Sequence, residues 1–133
     1  VRVFFDTNVL VSAFLARGLC ADLLRLVLSE HTLLSSEVVL AELRDVLSRK
    51  GRLPMQQIES IEAFLRDQPI APRPATILGL GLVDVDDEWV LASAVLAEAD
   101  LFVTGDQGVL ACPTPPLPLL NPRSCWEQLR STG

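Results

Sequence analysis

The stretch VRVFFDTNVLVSA, residues 1–13, decides how this chain is read. Val1 to Phe5 alternate only weakly and are rich in Val and Phe, so they read as a buried strand ending at Asp6. Asn8 is placed to cap a helix starting near Val9. The same alternation of strand and helix recurs to the end of the chain. Such alternation implies an α/β fold with a parallel sheet covered by helices on both faces. Ligands of such sheets bind at the carboxyl ends of strands. Asp6 falls at one of those ends.

Working outward, Gly18 interrupts the first helix, and a helical pattern resumes over 21–29 with Leu24, Val27 and Leu28. Residues 31–34 read as a second short strand. The clearest helix runs from Ser36 to Arg49, with Leu40, Leu43 and Leu47 at helical spacing and Val39 and Val46 widening the stripe. Gly51 and Pro54 break it. Residues 55–67 form an amphipathic helix, with Ile58, Ile61, Phe64 and Leu65 inward. The Pro-rich segment 69–74 is a connection holding at most a short extended piece, and 75–83 shows no assignable pattern. Residues 86–98 are helical, nearly all apolar after Trp89, and expected to be buried on most sides. Residues 101–104 are a strand cut by Gly105 and Asp106. A Pro-rich loop over 113–118 leads to a last strand, 118–120, and a helix with Pro122 in its first turn.

At 133 residues, half of them apolar, the chain is expected to form a single domain over 1–133. It contains no uninterrupted apolar run long enough to span a membrane. The start VRVFF is too short for a secretory leader. Because it begins at Val1 rather than Met, at least one residue is expected upstream. Cys20, Cys112 and Cys125 lie too far apart for a zinc site and are odd in number, so they read as buried thiols of a cytoplasmic protein. The lone His31 is assigned no role.

The formal charge of −6 weighs against a nucleic-acid partner. Two divalent ions among four acids would bring it to about −2. Arg44, Arg49, Lys50 and Arg52 are clustered. The simpler reading is a solvated helix end favoured by the helix dipole; the alternative is a phosphate-contacting rim. We adopt the simpler one here.

Four acids stand at the mouths of elements: Asp6, Glu42 in SSEVVLAELRDVL (35–47), Asp87 in DVDDEWVLASA (84–94) and Asp106 in ADLFVTGD (99–106). Each alone has a plain structural reading. Asp6 and Asp106 would cap the helices that follow, and the run Asp84, Asp86, Asp87, Glu88 would favour a helix N-terminus. Glu42 lies at the edge of an apolar stripe, where an uncompensated carboxylate is costly. Periodicity does not choose among Asp86, Asp87 and Glu88. Carboxylates gathered at strand ends repel one another unless a cation sits among them, and a hard, oxygen-preferring ion such as Mg²⁺ or Mn²⁺ suits them. Metal-assisted phosphodiester hydrolysis is the chemistry such a set performs. Asn8 adds an amide beside Asp6, and Thr104 a hydroxyl able to hold a carboxylate or a water. There is no nucleophilic triad, Walker loop or dinucleotide fingerprint.

DTNVLVSAFL (6–15), the Ser-x-Glu helix carrying AELRDVL, DDEWVLASA (86–94), ADLFVTGD and NPRSCWEQL (121–129) together resemble the PIN-domain ribonucleases. The likeness is greatest to the small bacterial branch of toxins from toxin–antitoxin pairs, and it covers nearly the whole chain. It implies a three-layer α/β/α sandwich around a short parallel sheet. It maps the four catalytic acids onto Asp6, Glu42, Asp87 and Asp106, with Asn8 and Thr104 supporting. It further implies Mg²⁺- or Mn²⁺-dependent cleavage of RNA, a cognate antitoxin and a homodimer. Asp6, Asp87 and Asp106 are then the metal ligands, with Asp6 shared between ions. Glu42 binds metal or orients water. Two other readings remain at this stage: a PIN-like protein-binding module whose acids only cap helices, and a DNA or structure-specific nuclease.

Overall fold

β1 (Arg2–Phe5) is the middle strand of a five-stranded sheet in the computed structural model, which describes residues 1–132. The other strands are β2 (Thr32–Ser36), β3 (Ile70–Ala71), β4 (Leu101–Val103) and β5 (Leu119–Leu120). Their order is β3-β2-β1-β4-β5, and every pairing is parallel. The chain lays β2 and β3 on one side of β1, then crosses to the other side for β4 and β5. That reversal makes the carboxyl ends of β1 and β4 a topological switch point, where adjacent connections leave in opposite directions and open a crevice. With helices on both faces the architecture is the expected α/β/α sandwich.

Phe4 fixes the centre of the sheet. It is in register with Leu34 on one side and Phe102 on the other, and its ring stacks on Phe102 with centroids 5.7 Å apart. Val3, Phe4, Phe5, Leu34 and Val103 are fully buried. Each such side chain contributes about 1.5–3 kcal/mol by leaving water. A strand buried on both faces has no need to alternate, which explains the weak periodicity of residues 1–5.

The helices are α1 (Thr7–Leu15), α2 (Leu19–Glu30), α3 (Glu37–Arg49), α4 (Met55–Arg66), α5 (Val85–Leu96), α6 (Gln107–Leu110) and α7 (Pro122–Thr132). Ser36 both ends β2 and caps α3, its Oγ accepting from Val39 N at 3.2 Å. The buried Ser93 hydroxyl of α5 sits 2.8 Å from the same oxygen, which joins α5 to the start of α3. Val39, Leu40, Leu43 and Leu47 bury the inner stripe of α3. Arg44–Glu62 and Arg66–Glu37 link α3 to α4 across exposed surface, where such pairs are worth little individually. Arg2 reaches the carbonyls of Ala97 and Glu98, just past the end of α5, a favourable place for a cation.

Several local expectations need correction. α1 begins at Thr7 with Asp6 as its cap, so Asn8 lies inside the first turn. β2 runs to Ser36, beyond the expected end at 34. Phe64 is exposed and meets Phe14 edge-on at 6.2 Å. Val95 and Leu96 are exposed at the end of α5, which is therefore one-sided there. Cys20 is half-buried, whereas Cys112 and Cys125 are buried and all three are free.

The unassigned stretch 75–83 forms no regular element, yet it is tied down. Gly79 and Gly81 adopt φ of +73° and +76°, a region glycine enters without a steric penalty. The intervening and following amides, Leu80 N and Leu82 N, donate to the Glu88 carboxylate at 2.9 and 3.1 Å. Glu88 is buried. The Leu80 N–H, then that of Leu82, holds its carboxylate below the usual range. Glu88→Ala leaves those amides without their acceptor. It is expected to lower Tm by several degrees and to speed hydrogen exchange at Leu80 and Leu82 while strand amides stay protected; unchanged exchange there would refute the clamp.

Candidate metal centre

Asp6 is the first side chain past the end of β1. Its backbone N–H donates to Val103 O at 2.9 Å, which holds it against β4. Its Oδ1 accepts from Thr7 N at 2.8 Å and its Oδ2 from the Thr104 hydroxyl at 2.7 Å. The residue is buried. Burial pushes its pKa up; the Thr104 and Thr7 bonds oppose that, and Asp106 adds a further push upward. Thr104, also buried, gives its proton to Asp6 and accepts Asp106 N at 3.0 Å. One hydroxyl thus spaces the two acids across the switch point.

Asp106 caps the short α6 through Oδ1, which accepts from Gly108 N at 2.8 Å and Val109 N at 3.3 Å. Its Oδ2 takes no hydrogen bond among the described residues. Glu42, half-buried on α3, accepts the Thr7 hydroxyl on Oε1 at 2.6 Å. Its pKa is raised chiefly by burial; Thr7 works against this, and Asp6, Asp86 and Asp84 add to it.

Asp87 stands in the first turn of α5, half-buried, with no hydrogen bond to its carboxylate among the described residues. Burial is the first cause that lifts its pKa to about 7, followed by the charges of Asp6, Asp106, Asp84 and Glu42. Among the acids of its run, Glu88 is turned onto the glycine loop. Asp84 is engaged as the N-cap of α5 through Asp86 N at 2.9 Å. Asp86 and Asp87 both line the crevice, and the charges of Asp6, Asp106 and Glu42 all bear on Asp87.

All four sequence-derived acids therefore line one cleft of about 290 Å³. Asn8 is on its rim, exposed, and its side chain makes no hydrogen bond among the described residues. Thr7, the hydroxyl residue between Asp6 and Asn8, bridges Asp6 and Glu42. The cleft lining among the described residues holds seven carboxylates, no Cys or His, and two cations, Arg49 and Lys50. That donor set suits a hard cation such as Mg²⁺ or Mn²⁺ rather than zinc. No three acidic, His or Cys side chains among the described residues are close enough to form a ready-made chelate. The acids share a cleft, not yet a point, and the least tied of them are Asp86, Asp87 and the free oxygens of Glu42 and Asp106.

A family model described as PIN domain matches residues 2–108, which include all four acids. The chain belongs to the PIN-domain family. PIN domains are generally nucleases that use divalent metal ions. In structure the chain resembles a chain of VapBC2 from Rickettsia felis, crystallised bound to a DNA fragment from their promoter. The TM-score is 0.67 at 21% identity, covering 91% of this chain and 98% of that one. It also resembles a chain of FitAB bound to an IR36 DNA fragment, with a TM-score of 0.64 at 20% identity, covering 90% and 94%. At these identities the likeness speaks for the PIN fold. No curated protein matches the chain significantly in sequence.

The Thr104 hydroxyl serves two partners, so its removal strands Asp6 Oδ2. Thr104→Val is expected to cost about 1–3 kcal/mol in chemical denaturation, as for a buried hydrogen bond to a charged group; Thr104→Ser should recover most of it. Equal stability of the Val and Ser variants would contradict the bridging role.

The raised pKa of Asp87 makes stability depend on pH. Below about pH 4 the unfolded and folded states both keep the proton and no penalty exists. As pH climbs toward 7 the unfolded chain ionises while the fold resists, so stability falls. Above about 7 the penalty is complete. Without added metal, Asp87→Asn is expected to raise Tm at pH 8 and leave it nearly unchanged at pH 4. Thermal scans across that range check this; a variant less stable than wild type at pH 8 would contradict it.

Proposed function

We propose that this PIN domain is a divalent-metal-dependent endoribonuclease and the toxin of a toxin–antitoxin pair, working in the cytoplasm. The observation that carries this reading is Asp87: a carboxylate without a hydrogen-bond donor, facing the charges of Asp6, Asp106 and Glu42. Asp84 as the cap of α5, Glu88 through the loop amides and Asp106 Oδ1 as the cap of α6 are, by contrast, satisfied by N–H groups. A carboxylate set among other carboxylates without such donors is what a cation site requires. RNA as substrate, the antitoxin and a homodimer rest on the resemblance to the toxin branch. The two neighbours, VapBC2 and FitAB, are toxin–antitoxin proteins, which is consistent with an antitoxin partner.

Asp6, Asp87 and Asp106 would hold the ion, with Glu42 binding it or orienting water. A bound Mg²⁺ or Mn²⁺ would lower the pKa of a coordinated water and stabilise charge at the phosphate. The protein's own contribution is positional. Thr104 and Thr7 fix the Asp6 carboxylate from two sides, and Thr7 restrains Glu42 through the same turn. Asp87 and Asp106 Oδ2 carry no competing bond, so both are free to move toward a cation at little cost. Phe5, Val103 and Thr104, next to Asp6 in the chain or the sheet, are buried, which limits screening of that carboxylate by bulk water.

The test is incubation with a mixed RNA pool and Mn²⁺, with mapping of the new ends. Wild type is expected to cut, EDTA to stop it, and Asp87→Asn to lower the rate by at least about 100-fold, as for loss of a major electrostatic contributor. Equal cutting by an Asp6→Ala, Asp106→Ala double variant would place the activity elsewhere. The metal arm is independent of turnover: Mn²⁺ should raise wild-type Tm, and Asp87→Asn should abolish that rise.

A further inference from the structure

The acid cleft raises a difficulty for the substrate proposed above. A polyanion must approach seven carboxylates on a chain of net charge −6. Even with the metal acids neutralised, Asp45, Asp84 and Asp86 still face it. Some positive charge has to be met along the strand's path.

The cluster of basic residues divides in the fold. Arg44 is committed to Glu62 at 2.7 Å on the α3–α4 surface, away from the cleft. Arg52 sits in the turn beyond α3 with φ of 52° and does not line the cleft. Arg49 and Lys50 do line it, and they are its only cations among the described residues. Both are exposed, and Lys50 forms no salt bridge among the described residues. Arg49 is gripped by Asp45 through two bonds, one of them Nε to Oδ1 at 2.8 Å. Asp45 also lines the cleft.

Position along α3 tells what these cations can reach. Glu42, Asp45 or Val46, and Arg49 succeed one another at helical spacing on the cleft side. Arg49 lies seven residues past Glu42, about 10 Å along the axis at 1.5 Å per residue. That is too far for the phosphate under attack and suitable for a neighbouring one on the same strand. A guanidinium fork suits a phosphate, and Lys50 adds a mobile point charge. Asp45 keeps the fork aligned while no strand is present and competes with the strand for it.

We infer that Arg49 and Lys50, at the end of α3, form a phosphate-binding site for a single-stranded nucleic acid, next to the four-acid centre and restrained by Asp45. The site shares the substrate of the nuclease reading but is measured separately from cleavage. The phosphate chemistry is common to RNA and DNA, so both are used as probes.

The experiment is fluorescence anisotropy of labelled 12-nucleotide single strands, one RNA and one DNA of the same sequence. It is run in Ca²⁺, an oxygen-site cation that neutralises the acids, over a series of salt concentrations. Arg25–Asp22 is the matched control: an exposed ion pair within one helix that does not line the cleft. Arg49→Ala is expected to weaken binding about five-fold or more and to reduce the salt slope by about 0.7, the value for one phosphate on a single strand. Lys50→Ala should act in the same direction. Arg25→Ala should change neither quantity. Asp45→Asn should tighten binding more than Glu30→Gln, which alters the total charge equally on a remote surface. In cleavage assays with Mn²⁺, Arg49→Ala should raise KM with kcat largely kept. Weaker binding by Arg49→Ala to RNA but not to DNA supports the site and adds a sugar preference. Binding by Arg49→Ala equal to that of Arg25→Ala, or no binding by wild type to either strand, overturns it. Should wild type bind with the expected slopes but cut nothing, the nuclease reading fails and the phosphate site stands.

Discussion

Mutual repulsion among carboxylates at the carboxyl edge of the sheet is the constraint around which this structure is arranged. Seven acids line one small cleft, and the fold must either satisfy each charge or leave it available. It does both. Asp84 is spent on the α5 amides, and Glu88, nearby on the same helix but turned away, on the glycine loop. Asp6 is held by a backbone N–H and a buried hydroxyl. Asp87 has neither, and its pKa rises to about 7. An acid left in that condition costs stability, which is reasonable where a cation is to complete the site.

The sheet supplies the place. β1 is central, and the connections out of β1 and β4 diverge because strand order reverses there. Asp6 and Thr104 are the residues that directly follow these two strands, so their separation is set by the β1–β4 register, Phe5 against Val103. Phe4 stacked on Phe102 one residue earlier fixes that register from the core. A slip by one residue would place side chains on the wrong face, and the Thr104–Asp6 bond could not form. Packing in the middle of the sheet and charge at its edge are thus one mechanical unit.

α3 supplies Glu42 and Asp45 to the cleft, and the start of α5 supplies Asp84, Asp86 and Asp87. Ser36 and Ser93 join the start of one to the body of the other. Small residues on α5, Ala92, Ser93 and Ala94, are buried and let it come close. The same helix α3 that supplies Glu42 carries Arg49 in its last turn, with Lys50 as its C-cap, along the cleft, so the acids of α3 and the basic rim share one rigid rod. The net negative charge of the chain therefore says little about this surface: local arrangement, not total charge, decides what the cleft attracts.

Much was legible from residues alone. The strand–acid–helix pattern of 1–13, the helix from Ser36 to Arg49 and the element order gave the α/β sandwich, because period and breakers are local properties of the chain. The acids Asp6, Glu42 and Asp106 stood out for the same reason. Asp87 could not be separated from Asp86 and Glu88 by periodicity, since three neighbouring positions in a first turn differ only in what each meets across space. Nor could sequence show that Glu88 is bound by a loop of alternating glycines, that Thr7 rather than Asn8 touches two acids, or that Arg49 and Lys50 face the cleft while Arg44 does not. Local pattern determined which elements form and roughly where they end. Hydrogen-bond partners, burial and charge neighbours come from segments as much as 98 residues apart, as with Thr104 and Asp6, and only the folded chain sets those distances.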